Sequence, residues 1–214
     1  MTKLPGGEED TFRTIDSPVS ASILVLGSKF IAHAANSRTE EEFTAILRRR
    51  SNRNPDASHH CWAYCLGQPG DLIEKSSDAG EPAGAAGRPI LDTLRRAKLE
   101  NAVCVVSRYF GGTKLGAGGL ARAYADAAGA AIAAASIIGK TIARQIEISF
   151  AHEQTGLVYR VLGEFGLTLH DARYNQRVHG MILVPVSSVA AFHGRILELV
   201  PAGIEWSEGD VVIT

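Results

Sequence analysis

Between Val105 and Tyr124 the chain reads VVSRYFGGTKLGAGGLARAY, and this stretch constrains the fold more than any other. It overlaps the end of a continuous apolar run, Ala102 to Val106, of the length and composition of a central strand buried on both faces. It leads into an alanine-rich segment from about Leu120 to about Ala135, where high helix propensity and small side chains let neighbouring elements approach closely. Strand, glycine-rich loop (108–119) and long helix in direct succession mark a mixed α/β domain. The five glycines Gly111, Gly112, Gly116, Gly118 and Gly119 bring backbone N–H groups together at a positive helix end, where an anion can bind. Arg108, Lys114 and Arg122 are placed to add charge at one rim. No Gly-Lys-Ser/Thr follows, so this is not a P-loop, and Gly116-Ala117-Gly118 lacks the rest of a dinucleotide fingerprint. A purely structural turn that packs helix on sheet fits the same glycines, and the sequence leaves both readings open.

The rest of the chain sorts itself around this unit. Residues 1–18, with Pro5-Gly6-Gly7 and Ser17-Pro18, read as a loose polar leader. Ala21 to Asn36 is β-branched and apolar in two pieces around Gly27-Ser28, as expected of two strands joined by a tight turn. Thr39 opens a helix: its hydroxyl caps, acidic side chains fill the first turn, and Glu42 completes a capping box. His59–Gly67 and Leu72–Lys75 read as strands, and Ile90 to Lys98 takes up helical spacing. A boundary is expected at Gly139-Lys140, giving domains at 19–139 and 140–214. Beyond it, alternation and amphipathicity run in the order βαββαβ, the ferredoxin-like signature.

Two further segments carry candidate chemistry. Asp78 to Pro89, DAGEPAGAAGRP, places the carboxylates of Asp78 and Glu81 three residues apart in a loop. Acid–base or metal chemistry needs separated pKa values or several oxygen ligands, which the loop does not supply, and helix capping is the plainer role. Arg88, before Pro89, is the better contact residue there. In His59-His60-Cys61-Trp62-Ala63-Tyr64-Cys65, strand alternation puts His59, Cys61 and Cys65 on one face and His60, Trp62 and Tyr64 on the other. A zinc site would want four ligands in paired units, and no second unit follows, so no metal is expected. An exposed Trp62–Tyr64 face would suit stacking on bases or on a partner. No nucleophile elbow occurs, no catalytic constellation is recognisable, and no cofactor is implied.

Composition excludes whole classes. With 45% apolar and 21% charged residues the chain is neither disordered nor membrane-embedded, and no apolar run reaches the ~18 residues of a spanning helix. The first ten residues lack the apolar core of a secretory signal, and three cysteines do not make a disulfide framework, so a cytoplasmic location is expected. Residues 1–140 hold 17 basic and 15 acidic side chains, and residues 141–214 hold 5 and 8. That balance is no general nucleic-acid footprint, so any RNA contact must be local.

HHCWAYCLG, SDAGEPAGAAGRPIL and VVSRYFGGTKLGAGGLARAY resemble the three signature blocks of the IMPACT/YigZ family, in the same order and at similar spacing. The resemblance spans roughly residues 19–136, and the tail is similar to the family's smaller C-terminal domain. It implies an α+β protein: a ribosomal-protein and GHMP-kinase-like α/β domain followed by a ferredoxin-like domain. Eukaryotic members of that family regulate translation by competing for an activator of a starvation-responsive kinase. Ala79 and Ala85 stand where the family usually has an acidic or amide residue and a threonine, which argues against acid–base or hydroxyl chemistry in that loop.

A binding protein that touches RNA, the ribosome or a translation factor through Arg88, Arg108, Lys114 and Arg122 is therefore favoured over an enzyme. The alternatives are an enzyme acting on a small phosphorylated ligand at the same loop, and an interaction module using the aromatic strand face. From the missing second ligand pair, the purified protein is expected to hold no stoichiometric zinc and to keep its melting temperature in chelator; one equivalent of metal by elemental analysis would contradict this.

Overall fold

The computed structural model describes residues 10–68 and 71–214, so half of the expected leader, residues 1–9, lies outside the described residues. The part of it that is described is ordered: Thr11–Ile15 forms a strand, β1. Thr14 donates from Oγ1 to the Asn101 carbonyl and Asp16 donates its N–H to the Ser136 carbonyl. The buried side chains of Phe12 and Ile15 explain why a stretch that reads as polar settles as a strand. By contacts the chain divides into Arg13–Gly139 and a second unit made of Lys140–Thr214 with the segment through Phe12.

The first unit is a five-stranded antiparallel sheet in the order β2-β3-β6-β4-β5. Its strands are β2 (Val19–Val25), β3 (Ser28–Asn36), β4 (His59–Gln68), β5 (Asp71–Ser77) and β6 (Ala102–Tyr109). The apolar run of β6 takes the centre, where both faces are covered, and it is buried from Ala102 through Arg108. Helices α2 (Gly87–Arg96) and α3 (Gly116–Ala133) pack on one face, over Phe30, Ala32, Cys61, Ala63, Cys104 and Val106. The small residues of α3 lie against these strands, which is the close approach that its alanines permit. Helix α1 (Glu40–Arg53) covers the other face over Ala35, Tyr64, Leu66 and Val103.

Thr39 caps α1 by accepting the Glu42 N–H, but the reciprocal bond is displaced by one residue, because Glu42 Oε2 accepts the N–H of Arg38 at 2.7 Å. The cap is therefore a variant of the expected capping box.

The second unit runs β7 (Ile137–Phe150), α4 (Thr155–Glu164), β8 (Leu169–Tyr174), β9 (Val178–Pro185), α5 (Val189–Leu197) and β10 (Glu205–Ile213). Its sheet has β10 and β9 antiparallel to β7 and β8 antiparallel to β9, and β1 also joins it on β7. This βαββαβ order with strands 4-1-3-2 is the ferredoxin-like arrangement. Ile146, Ile148, Phe150, Ile182 and Val184 face Val158, Leu162, Phe192 and Ile196 across its core. Asp10 accepts the backbone N–H of Ser187 at 2.8 Å, as well as its hydroxyl.

His33 lies buried on the α1 side of β3. Burial first, and the Arg50 guanidinium next, lower its pKa from 6.5 to about 4. Between those values the unfolded chain binds the proton more readily than the folded one, so acidification withdraws stability. His33→Gln should therefore flatten the loss of melting temperature as pH falls from about 6.5 to about 4, read by circular dichroism against wild type. Coincident curves would show that His33 does not titrate in this way.

Candidate functional site at the glycine loop

The glycine-rich segment does not form one loop. Strand β6 runs to Tyr109 and α3 begins at Gly116, so Gly111 and Gly112 lie in the connection while Gly116, Gly118 and Gly119 sit in the first turn of the helix. Gly111 is required by proximity: a Cβ there would stand 1.9 Å from the Gly27 carbonyl carbon at the β2–β3 turn. Its N–H donates to Ser28 Oγ at 3.2 Å, fastening the connection to the hairpin. Gly116 starts α3 with φ at +70°, a conformation costly for other residues.

Leu115 stands at the N-cap of α3, so no side chain caps this end, and no acidic residue lies in the first turn. Gly116, Ala117 and Gly118 are exposed, leaving their N–H groups and the positive end of an 18-residue helix open to a ligand. A cavity of about 240 Å³ adjoins it, lined by Glu81, Arg108, Phe110, Lys114, Leu115 and Gly116 among others.

Arg108 is the centre of this site and is not a surface cation. It is 5% exposed, and its Nη1 donates to Glu81 Oε1 at 2.6 Å while Nη2 reaches Ser28 Oγ at 3.4 Å. Glu81 Oε1 also accepts the Tyr124 hydroxyl at 2.8 Å, and burial pushes that phenol's pKa well up. The guanidinium lies 5.5 Å from the Phe30 ring centroid and 5.7 Å from that of Phe110, within cation–π range. Its Nε is buried with no partner among the described residues.

Of the four expected cations, two line this cavity. Lys114 is exposed at the cavity and Arg108 forms its inner wall. Arg122 is exposed farther along α3 and Arg88 is engaged with Asp92 one turn on, and neither lines the cavity. Asp78 accepts N–H groups from Gly84, Ala86 and Gly87 at 2.8–2.9 Å, which caps α2 and shapes the loop. Burial would raise its carboxyl, but the three N–H groups outweigh that and hold it below the usual range.

The aromatic strand face is not open. Helix α1 lies on it: Tyr64 is 1% exposed, Trp62 stacks on Tyr64 at 5.6 Å, and Phe43 of α1 packs 4.6 Å and 4.9 Å from them. Tyr64 spends its hydroxyl on Glu40. Alternation sorted the faces correctly, but which element covers each one is decided by packing: Tyr64 is a core residue and Trp62 is half-buried against it under α1, so they do not form an open stacking platform. The neighbouring His59 and His60 bond the Ala79 carbonyl and Ser107 Oγ, and Cys61 donates to the Asp78 carbonyl. Burial pushes the Cys61, Cys65 and Cys104 thiols up to about 12, so none is a nucleophile at neutral pH.

Sequence reading missed Ser28, Phe110 and Tyr124, and it missed the pairing of Glu81 with Arg108. One signal was available: an arginine ending a strand as apolar as Ala102–Val106 must find a carboxylate or remain outside. Glu81→Ala would leave Arg108 buried and uncompensated and should cost about 3–5 kcal/mol in denaturant unfolding. Glu81→Ala with Arg108→Met should recover much of that loss; equal instability of single and double variants would show that the cost lies elsewhere in the loop.

The family model for the Impact N-terminal domain matches residues 26–132. IMPACT family member YvyE of Bacillus subtilis is 30% identical over 201 residues, covering 94% of this chain and 92% of that protein. IMPACT family member YigZ of Escherichia coli is 30% identical over 183 residues, covering 85% of this chain and 90% of its own length. A crystal structure described as that of a hypothetical protein superposes with a TM-score of 0.65 at 27% identity, covering 92% of this chain and 96% of that one. The family domain covers strands β3 to β6, the Asp78–Gly87 loop and the α3 N-terminus that build the site, and both relatives extend into the second unit: the chain belongs to the IMPACT family.

Proposed function

We propose that this protein is a translation-linked binding protein whose glycine-loop cavity receives a phosphate group of its partner, RNA or the ribosome. The observation that carries the reading is the uncapped start of α3 opening beside Lys114, with Arg108 lining the same cavity. Helix-end N–H groups, an exposed lysine and a fixed guanidinium form an anion site of phosphate size. Glu81 offsets one charge of the pair, so Lys114 supplies the net attraction at the mouth. The translational role rests on family membership, because eukaryotic members regulate translation. A small phosphorylated ligand is the second reading, favoured by the concave shape of the cavity, which suits one anionic group better than a long strand.

Lys114 is exposed, so Lys114→Ala should leave the fold intact. In co-sedimentation with ribosomes at several salt concentrations, it should weaken binding and lower the salt slope by about one unit, as removal of a single phosphate contact requires. Identical binding and slope for wild type and variant would reject the site. Saturable binding of a nucleotide that changes little with salt, together with no ribosome association, would favour the second reading.

A further inference from the structure

The opposite sheet face carries a different cationic feature that the glycine loop does not explain. A cavity of about 360 Å³ runs beside α1, with Pro18, His33, Ala35 and Asn36 on the sheet side. Its other wall is a single stripe, Arg38, Glu42, Ala45, Ile46 and Arg49 with Arg50, at helical spacing. From Glu42 to Arg49 that stripe advances roughly 11 Å at the helical rise per residue, and Arg38, just ahead of the Thr39 N-cap, extends the lining beyond the helix, so the cavity is a groove rather than a hole.

The charges along it are unbalanced. Among the described residues, none of Arg38, Arg48, Arg49, Arg50 and Arg53 makes a salt bridge with a carboxylate. Glu42 is the one carboxylate in the lining, and its Oε2 is engaged by the Arg38 backbone N–H. Arg50 Nε is buried without a hydrogen-bond partner, which a freely solvated arginine would not accept. The helix dipole accounts for Arg50 and Arg53 in the last turn. It does not account for Arg38, which sits at the positive end of α1. His33 adds no charge at neutral pH, because its pKa lies at about 4, and its Nδ1 is bonded to Ser20 Oγ at 2.9 Å. The groove therefore holds guanidinium groups at both ends and an apolar wall of Ala45 and Ile46 between them.

We propose that this groove binds the backbone of single-stranded nucleic acid, with Arg38 at one end and Arg49 and Arg50 at the other holding phosphates of one strand. Phosphates of a stacked strand recur every ~3.4 Å along the axis and lie farther apart in an extended one, so a groove of this length spans roughly two to three of them. The planar guanidinium fork matches phosphate oxygens in pairs, and Ala45 and Ile46 offer an apolar surface to the sugars. An acidic peptide seldom sustains that charge density. The inference stands apart from the glycine-loop reading, since the two sites share no residue and lie on opposite faces of the sheet.

The test is fluorescence anisotropy of a labelled short single-stranded RNA over a range of salt, using the full chain. Arg49→Gln with Arg50→Gln should weaken binding about tenfold or more and lower the salt slope by about 1.4, the value for two phosphates of a single strand left without a cation. Arg38→Gln, at the exposed far end of the groove, should weaken it in the same direction, and unchanged thermal transitions would confirm that the variants are folded. Equal affinity and slope in these variants would overturn the proposal. So would a loss confined to Lys114→Ala, which would put the RNA at the glycine loop, or displacement by polyglutamate as effective as by unlabelled RNA at equal charge, which would indicate an acidic protein partner.

Discussion

The first unit depends on the buried ion pair between Arg108 and Glu81. Arg108 ends the central strand, Glu81 sits in the loop ahead of α2, Tyr124 reaches Glu81 from α3, and Ser28 reaches Arg108 from the β2–β3 hairpin. Four elements distant in sequence thus converge on two side chains. Neither charge could remain in this interior without the other, because desolvating a lone ion costs far more than any packing around it returns. The pair therefore fixes how the Asp78–Gly87 loop, the hairpin turn and the start of α3 sit relative to the sheet. The Gly27–Gly111 approach is a second consequence, since the connection after β6 must run directly over the hairpin turn.

This arrangement changes the meaning of the basic residues. A cation read from sequence as part of a surface rim is a structural charge when its partner is an interior carboxylate, and it then contributes little net attraction to a ligand. What remains at the glycine loop is geometric: the uncapped start of a helix, one exposed lysine and a guanidinium that is already anchored in the cavity wall. On the α1 side the balance is reversed. There the arginines have no carboxylates to engage among the described residues, and they line a groove rather than a compact cavity. The small net charge of the chain conceals this contrast, because pairing, not composition, decides which charges a partner meets.

The second unit shows the opposite relation between sequence and structure. Its elements carry alternating or amphipathic patterns, its connections are short, and the order of strands and helices is the one the sequence suggested. The part that sequence did not suggest is the contribution of the N-terminal segment, where Asp10 bonds Ser187 177 residues away. A short polar stretch with two apolar residues has no periodicity of its own, and only the partners waiting for it make it a strand.

Local patterning by itself determined the elements: the apolar run of β6, the Thr39 cap of α1, the alanines of α3 and the alternation that sorted His59 through Cys65 onto two faces. These are short-range properties, set by backbone preference and by the period at which side chains repeat. Tertiary structure alone decided what covers each face and which charges are spent. It put α1 over Trp62 and Tyr64, moved three of the five glycines into a helix, paired Arg108 with Glu81 and, among the described residues, left the α1 arginines without carboxylate partners. Those outcomes depend on contacts between residues far apart in the chain, whose energies are set by burial and by the partner each group finds, and neither quantity is encoded in the neighbourhood of any one residue.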